Sequence, residues 1–205
     1  MGGKLHQWRN DLRRVADKAE CVPTASQTVG PFFSIGLCSH TPNNLVPPKV
    51  QAGEVVTVRG QVFDGDGQVV PDAILEIWRA DQSGTYAATE GDCNSNGVPS
   101  GFARIATNER GEFEFQTLKP GTIAGIADEA HAPHLMVLIF MRGLLRHLVT
   151  RIYFPQEQAN EHDPVLRAIP ARRRSTLVGV AGSNCNELRW NVHLQGDAET
   201  VFFEA

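Results

Sequence analysis

Tyrosine is scarce in this chain: among 205 residues there are two, Tyr86 and Tyr153. Any chemistry that depends on phenolates is confined to those two positions. Cysteine is nearly as sparse. Cys21, Cys38, Cys93 and Cys185 stand far apart with no Cys-x-x-Cys pair, which excludes a disulfide framework and lacks the spacing of a zinc site. Reduced thiols and a cytoplasmic setting are the expectation. No stretch approaches the roughly 20 apolar residues of a membrane span, and the polar segment 1–9 lacks the apolar core of a secretion signal. Excess positive charge is missing too: the net charge is −4, which argues against a nucleic-acid partner, because phosphate binding needs clustered cations. The one basic run, Arg172-Arg173-Arg174, is short and reads as a solvated turn face. Nucleophile elbows, phosphate loops and dinucleotide fingerprints are all absent, and no internal repeat or low-complexity tract occurs.

What is present is ordinary globular material, 41% apolar and 20% charged. A chain of this length buries roughly 70% of the surface exposed on unfolding, so its core needs neither disulfide nor metal. Residues 4–20 place Trp8, Leu12, Val15, Ala16 and Ala19 on one helical face. That pattern suggests an N-terminal arm over 1–23, ahead of one domain over 24–205. Residues 21–53 are rich in proline and read as an extended, irregular lead-in. From Val55 the period becomes two. Strands are expected from Val55 to Phe63 and over 73–79, 102–106, 112–117, 135–140, 148–154, 175–180 and 187–194, with Phe113 and Phe115 alternating against acidic neighbours. Short strands punctuated by Gly and Pro indicate an all-β sandwich. The internal helix candidate is 155–169. Pro155 could open it, and Pro164 should break or restart it.

Several segments carry a family resemblance. Val58-x-Gly60-x-Val62, Leu75-Glu76-Ile77-Trp78, Gly84-Thr85-Tyr86 and Lys119-Pro120-Gly121-Thr122-Ile123 resemble the intradiol ring-cleaving dioxygenases in order and spacing. The likeness runs from about residue 24 to the end. Three further segments, 26–37, 132–144 and 195–204, are similar to the α subunit of the family's two-subunit members. The resemblance implies a β-sandwich paired with a related β subunit in a large hetero-oligomer. That β subunit would hold ferric iron through two tyrosines and two histidines, and this chain would carry no metal.

The ligand count agrees. Catalytic chains of the family place a ligating tyrosine after Lys-Pro-Gly; here it is Ile123. They carry His-x-His on one strand; here the triplet is His134-Leu135-Met136. Hard Fe(III) wants anionic oxygen, and a thioether is a poor replacement for an imidazole. No tyrosine occurs over 90–94, where the other phenolate would fall. Tyr86 belongs to the signature apart from the ligands, and Tyr153 reads as structural. A rival cluster, Asp128, Glu129, His131 and His134, contains the elements of a two-histidine, one-carboxylate Fe(II) site, but a surface loop is the simpler reading.

By resemblance, this chain forms a wall of its partner's substrate pocket. Arg142 would meet the carboxylate of a small aromatic substrate that is cleaved with O2, and Thr28, Gly30, Pro31 and Phe32 would shape the pocket. The alternative is a non-catalytic binding module that kept the sandwich and a degenerate pocket.

Overall fold

The computed structural model describes residues 24–38, 44–46, 53–87, 101–125, 129–184 and 186–204; the proposed arm over 1–23 lies outside them. Strand β1 (Val55–Phe63) turns Val56, Val58 and Val62 inward, and β4 (Glu112–Leu118) buries Phe113 and Phe115 while Glu112, Glu114 and Gln116 face water. This alternation belongs to a sheet with one dry face. β1 pairs antiparallel with β4 on one side. On the other side it runs parallel to β10 (Glu187–Arg189) and then to β11 (Val192–His193). β9 (Val180–Ala181) adds antiparallel to β10.

The strand expected over 187–194 is therefore two strands, interrupted at Trp190 and Asn191. Gly60 of β1 sits at the break. A Cβ there would lie 1.7 Å from the Trp190 carbonyl oxygen and 2.6 Å from the Phe113 ring. Glycine is required at this point by close backbone approach. Asn191 repairs the ladder by accepting a hydrogen bond from the Gln61 amide at 3.1 Å.

The second sheet has the order β3 (Phe102–Ala106), β2 (Ile74–Arg79), β7 (His134–Phe140), β8 (Leu148–Tyr153). Leu75, Ile77, Leu135, Val137, Ile139 and Ile152 face the first sheet and complete a shared core with Val58, Phe113, Phe115 and Leu188. The outward residues of β2 and β7 are buried or half-buried rather than exposed. Something covers this outer face, and that singles it out.

Two coverings are visible. At one side helix α1 (Phe33–Cys38) lies against β3, within the lead-in expected to be extended and irregular. At the β8 side a second core of Ala132, Tyr153, Leu166, Ile169 and Leu177 packs beneath residues 158–178. This strap differs from the helix expected over 155–169. Gln156 takes a positive φ of 59°, so Pro155 opens a turn instead of a helix, followed by a 3₁₀ turn over Gln158–Glu161. Helix α2 (Pro164–Ala168) starts at Pro164, with Asp163 as its N-cap accepting from the Leu166 amide at 2.9 Å.

Helix α3 (Ala171–Arg174) contains the basic run. Arg173 donates to the Glu199 carboxylate at 3.1 Å and Arg174 to the Ile169 carbonyl at 2.8 Å. Two of the three arginines thus tie the strap down, and Arg172 alone is left as the expected solvated face. The strand expected over 175–180 is mostly turn. Its middle makes one parallel bridge, Val178 to Tyr153, and only Val180 enters β9. No helix among the described residues is long and apolar enough to cross a membrane.

Candidate functional site

Strand β7 carries a candidate place at each end. At its start, alternation turns His134 and Met136 to the outer face, since Leu135 and Val137 belong to the core. Register sets their neighbours: His134 opposite Tyr153, and Met136 between Trp78 and Arg151. A small hairpin of β5 (Ile123–Ala124) and β6 (Ala130–His131) pairs Ile123 with His131. The His131 and His134 rings are 6.1 Å apart. Ile123, His134 and Met136 are thus gathered at one corner, while Asp128 of the rival cluster lies outside the described residues.

The corner is knit by hydrogen bonds. Asp163 is fully buried and accepts from the Ala132 amide at 2.9 Å, the Leu166 amide at 2.9 Å and the Tyr153 hydroxyl at 3.1 Å. His131 Nδ1 lies 3.5 Å from the same carboxylate. Arg151 Nη1 donates to the Tyr153 hydroxyl at 3.1 Å, and the His134 and Tyr153 rings pack 5.3 Å apart with their planes tilted by 37°. His134 Nδ1 is 2.7 Å from the Ala132 carbonyl oxygen. Burial, reinforced by the Arg151 charge, holds the imidazole down to a pKa of about 4, so the ring is neutral at pH 7. Burial pushes the Tyr153 phenol up.

A ferric ion does not fit this donor set. Ile123 and Met136 offer no hard donor, the Tyr153 oxygen is engaged by Arg151 and Asp163, and a guanidinium stands beside it. Among the described residues no group of three or more His, Cys, Asp or Glu converges as a metal cluster.

The other place lies beyond the far end of β7, ~20 Å away for six residues of strand. Here Thr28 Oγ1 accepts a hydrogen bond from the Gly143 amide at 2.8 Å. That bond joins two segments 115 residues apart in sequence and brings Thr28 beside the Arg142 turn. Gly30, Pro31 and Phe32 continue along the same exposed segment into α1. A groove of about 790 Å³ opens between Gln27, Val29, Met141, Leu145 and Phe203. The three segments that carried the α-subunit likeness meet around it.

Arg142 is held by a residue the sequence reading missed. Its Nε donates to the Asp72 carboxylate, and the guanidinium side remains 57% exposed. Asp72 lies in the turn before β2, a position where carboxylates are common and the sequence offers no signal. The ion pair engages Nε and leaves the two terminal nitrogens as a paired donor edge. Two large apolar side chains on these segments are exposed: Phe32 to 75% and Leu145 to 64%.

The family model described as Dioxygenase matches residues 29–196. The chain belongs to the intradiol ring-cleaving dioxygenase family. It is 45% identical over 195 residues to the protocatechuate 3,4-dioxygenase alpha chain of Burkholderia cepacia, covering 88% of this chain and 96% of that one. It is 38% identical over 203 residues to the alpha chain of the same name from Pseudomonas putida, covering 90% and 98%. Among solved structures, hydroxyquinol 1,2-dioxygenase from Pseudomonas putida shares the fold with a TM-score of 0.60 at 18% identity, covering 89% of this chain and 70% of that one.

Proposed function

We propose that this chain is the iron-free α subunit of a protocatechuate 3,4-dioxygenase, with residues 24–205 as the working domain and 1–23 as an arm. In this reading it acts in the cytoplasm within a large hetero-oligomer. A β subunit holds the ferric iron, and the pair cleaves protocatechuate with O2 to 3-carboxy-cis,cis-muconate. The 45% identity to an alpha chain over nearly its whole length carries the reading.

Ferric iron, when bound on the partner, supplies the redox chemistry with the catechol and O2. This chain contributes orientation and charge. The paired terminal nitrogens of Arg142 suit a substrate carboxylate, which has to be neutralised when it leaves water. Asp72 holds the guanidinium from behind, which lowers the entropy lost when substrate binds. Thr28 pins the turn on which Arg142 stands.

Gly30 supports the same picture. A Cβ there would meet nothing within 4 Å, so packing among the described residues does not ask for glycine. Close approach by another chain or by substrate would. The exposed Phe32, Ile35 and Leu145 suit burial against a subunit, since permanent interfaces are more apolar than ordinary surface.

Co-expression with an intradiol chain that carries both ligating tyrosines and the His-x-His pair tests the proposal. Oxygen uptake with protocatechuate should appear for the pair and not for this chain alone. Activity of this chain alone would overturn the division of labour. An inactive pair, with protocatechuate bound by this chain alone, would favour the binding-module reading. In an active pair, Arg142→Ala should raise KM for protocatechuate by tens of fold, as for a lost charged hydrogen bond, with iron content unchanged.

A further inference from the structure

The corner at the start of β7 is more than a metal site with ligands missing. Arg151 stands directly across from Met136 in the β7–β8 register, beside the position of a lost imidazole. Its Nη1 donates to the Tyr153 hydroxyl at 3.1 Å, the phenol opposite the one imidazole that remains. Its charge is also felt at Tyr86, whose buried hydroxyl has no hydrogen-bond partner among the described residues. Arg151 therefore sits among the groups that line the corner. Phe203 holds its other flank, with the guanidinium 5.7 Å from the ring centroid.

We infer that Arg151 is the built-in cation that replaces the metal at this corner, and that its charge closes the site to metal ions. The reasoning is electrostatic. A di- or trivalent cation bound next to Met136 would stand within a few ångströms of a like-charged guanidinium. In a half-buried place the repulsion is weakly screened. Restoring ligands alone leaves that repulsion intact. The cation also performs a metal's mechanical task. It grips a phenol that reaches, through Asp163, the loop before β7 and the cap of α2. This inference rests on the corner's geometry and not on the partner proposed above, so either can fail alone.

The test compares two full-length variants. One carries Ile123→Tyr with Met136→His and keeps Arg151; the other adds Arg151→Gln. Each is titrated with Fe(III) nitrilotriacetate and with Co(II). Metal per chain after desalting and the phenolate-to-iron charge-transfer band are the readouts. The variant keeping Arg151 should bind neither metal stoichiometrically. Adding Arg151→Gln should raise affinity by at least tenfold, on the scale of changes around a metal site. Arg151→Lys in place of Arg151→Gln keeps the charge and should exclude metal again. Equal affinity with and without the arginine, whether both variants bind or neither does, would overturn the inference. Should Arg151→Gln unfold the chain, Arg151→Met, which keeps length without charge, makes the same comparison.

Discussion

The two ends of strand β7 have opposite designs. At its start, His134 is 2% exposed, Tyr153 and Asp163 are fully buried, and Asp163 takes its hydrogen bonds from within the chain. Beyond its end, Arg142 keeps most of its side chain in water, and Leu145 on the same turn is exposed and lines the adjacent groove. A closed polar network serves stability, because each member satisfies another. An open cation on a pinned turn suits the recognition proposed above, because among the described residues only its Nε is paired. The two ends thus differ in what they offer: one is sealed by the chain's own groups, the other open to a partner.

Stability variants should hit the first end and binding variants the second. Asp163→Ala is expected to have the largest effect. It removes the α2 cap and leaves the Ala132 and Leu166 amides and the Tyr153 hydroxyl without their acceptor. A loss of about 3–5 kcal/mol should appear in denaturant unfolding. A loss under 1 kcal/mol would show that the network contributes little.

The pH response of the same end comes next. The unfolded chain takes a proton at His134 near pH 6.5, while the folded chain does so only near 4. The groups facing the ring are Tyr153, Arg151, His131, Asp163 and the Ala132 carbonyl. The unfolded state therefore binds more protons between those values. Stability from this group is complete above about pH 6.5 and drains away as pH falls to about 4, by ~3 kcal/mol in all. Unfolding curves across that range measure it, and His134→Gln should flatten the slope there.

At the open end the order of effects reverses. Gly30→Ala should leave stability within about 0.5 kcal/mol, since a Cβ meets nothing within 4 Å. In the assembled enzyme it should raise KM for protocatechuate or weaken subunit assembly. If stability fell and kinetics did not, the open end would be ordinary surface. Asp72→Asn is the gentlest change. It loosens Arg142 without removing it, and a rise in KM of a few fold at constant kcat is expected, in keeping with an exposed ion pair.

Much of the fold was legible because alternation is a local signal. Phe113 and Phe115 against Glu112 and Glu114 place β4 without any knowledge of its partners. The strap over 155–178 was not, because Pro155 and Pro164 look alike in sequence. Only the strap's path decides that one opens a turn and the other a helix. At the sites, Ile123, His134 and Met136 could be read against a motif, position by position. Arg151 and Asp163 could not, for they stand outside any motif, and strand register and a helix cap bring them to the corner.

By itself the sequence determined which donors this chain lacks, since side-chain identity limits ligand chemistry whatever the fold. It also determined the sandwich, through its period-two pattern. Tertiary structure alone decided what fills the vacated place and what stands beside Arg142. Arg151 meets Tyr153 through the β7–β8 register, Asp72 reaches Arg142 from 70 residues away, and Thr28 reaches Gly143 from 115. Pairings across such distances depend on how strands and turns pack, and no local pattern encodes them.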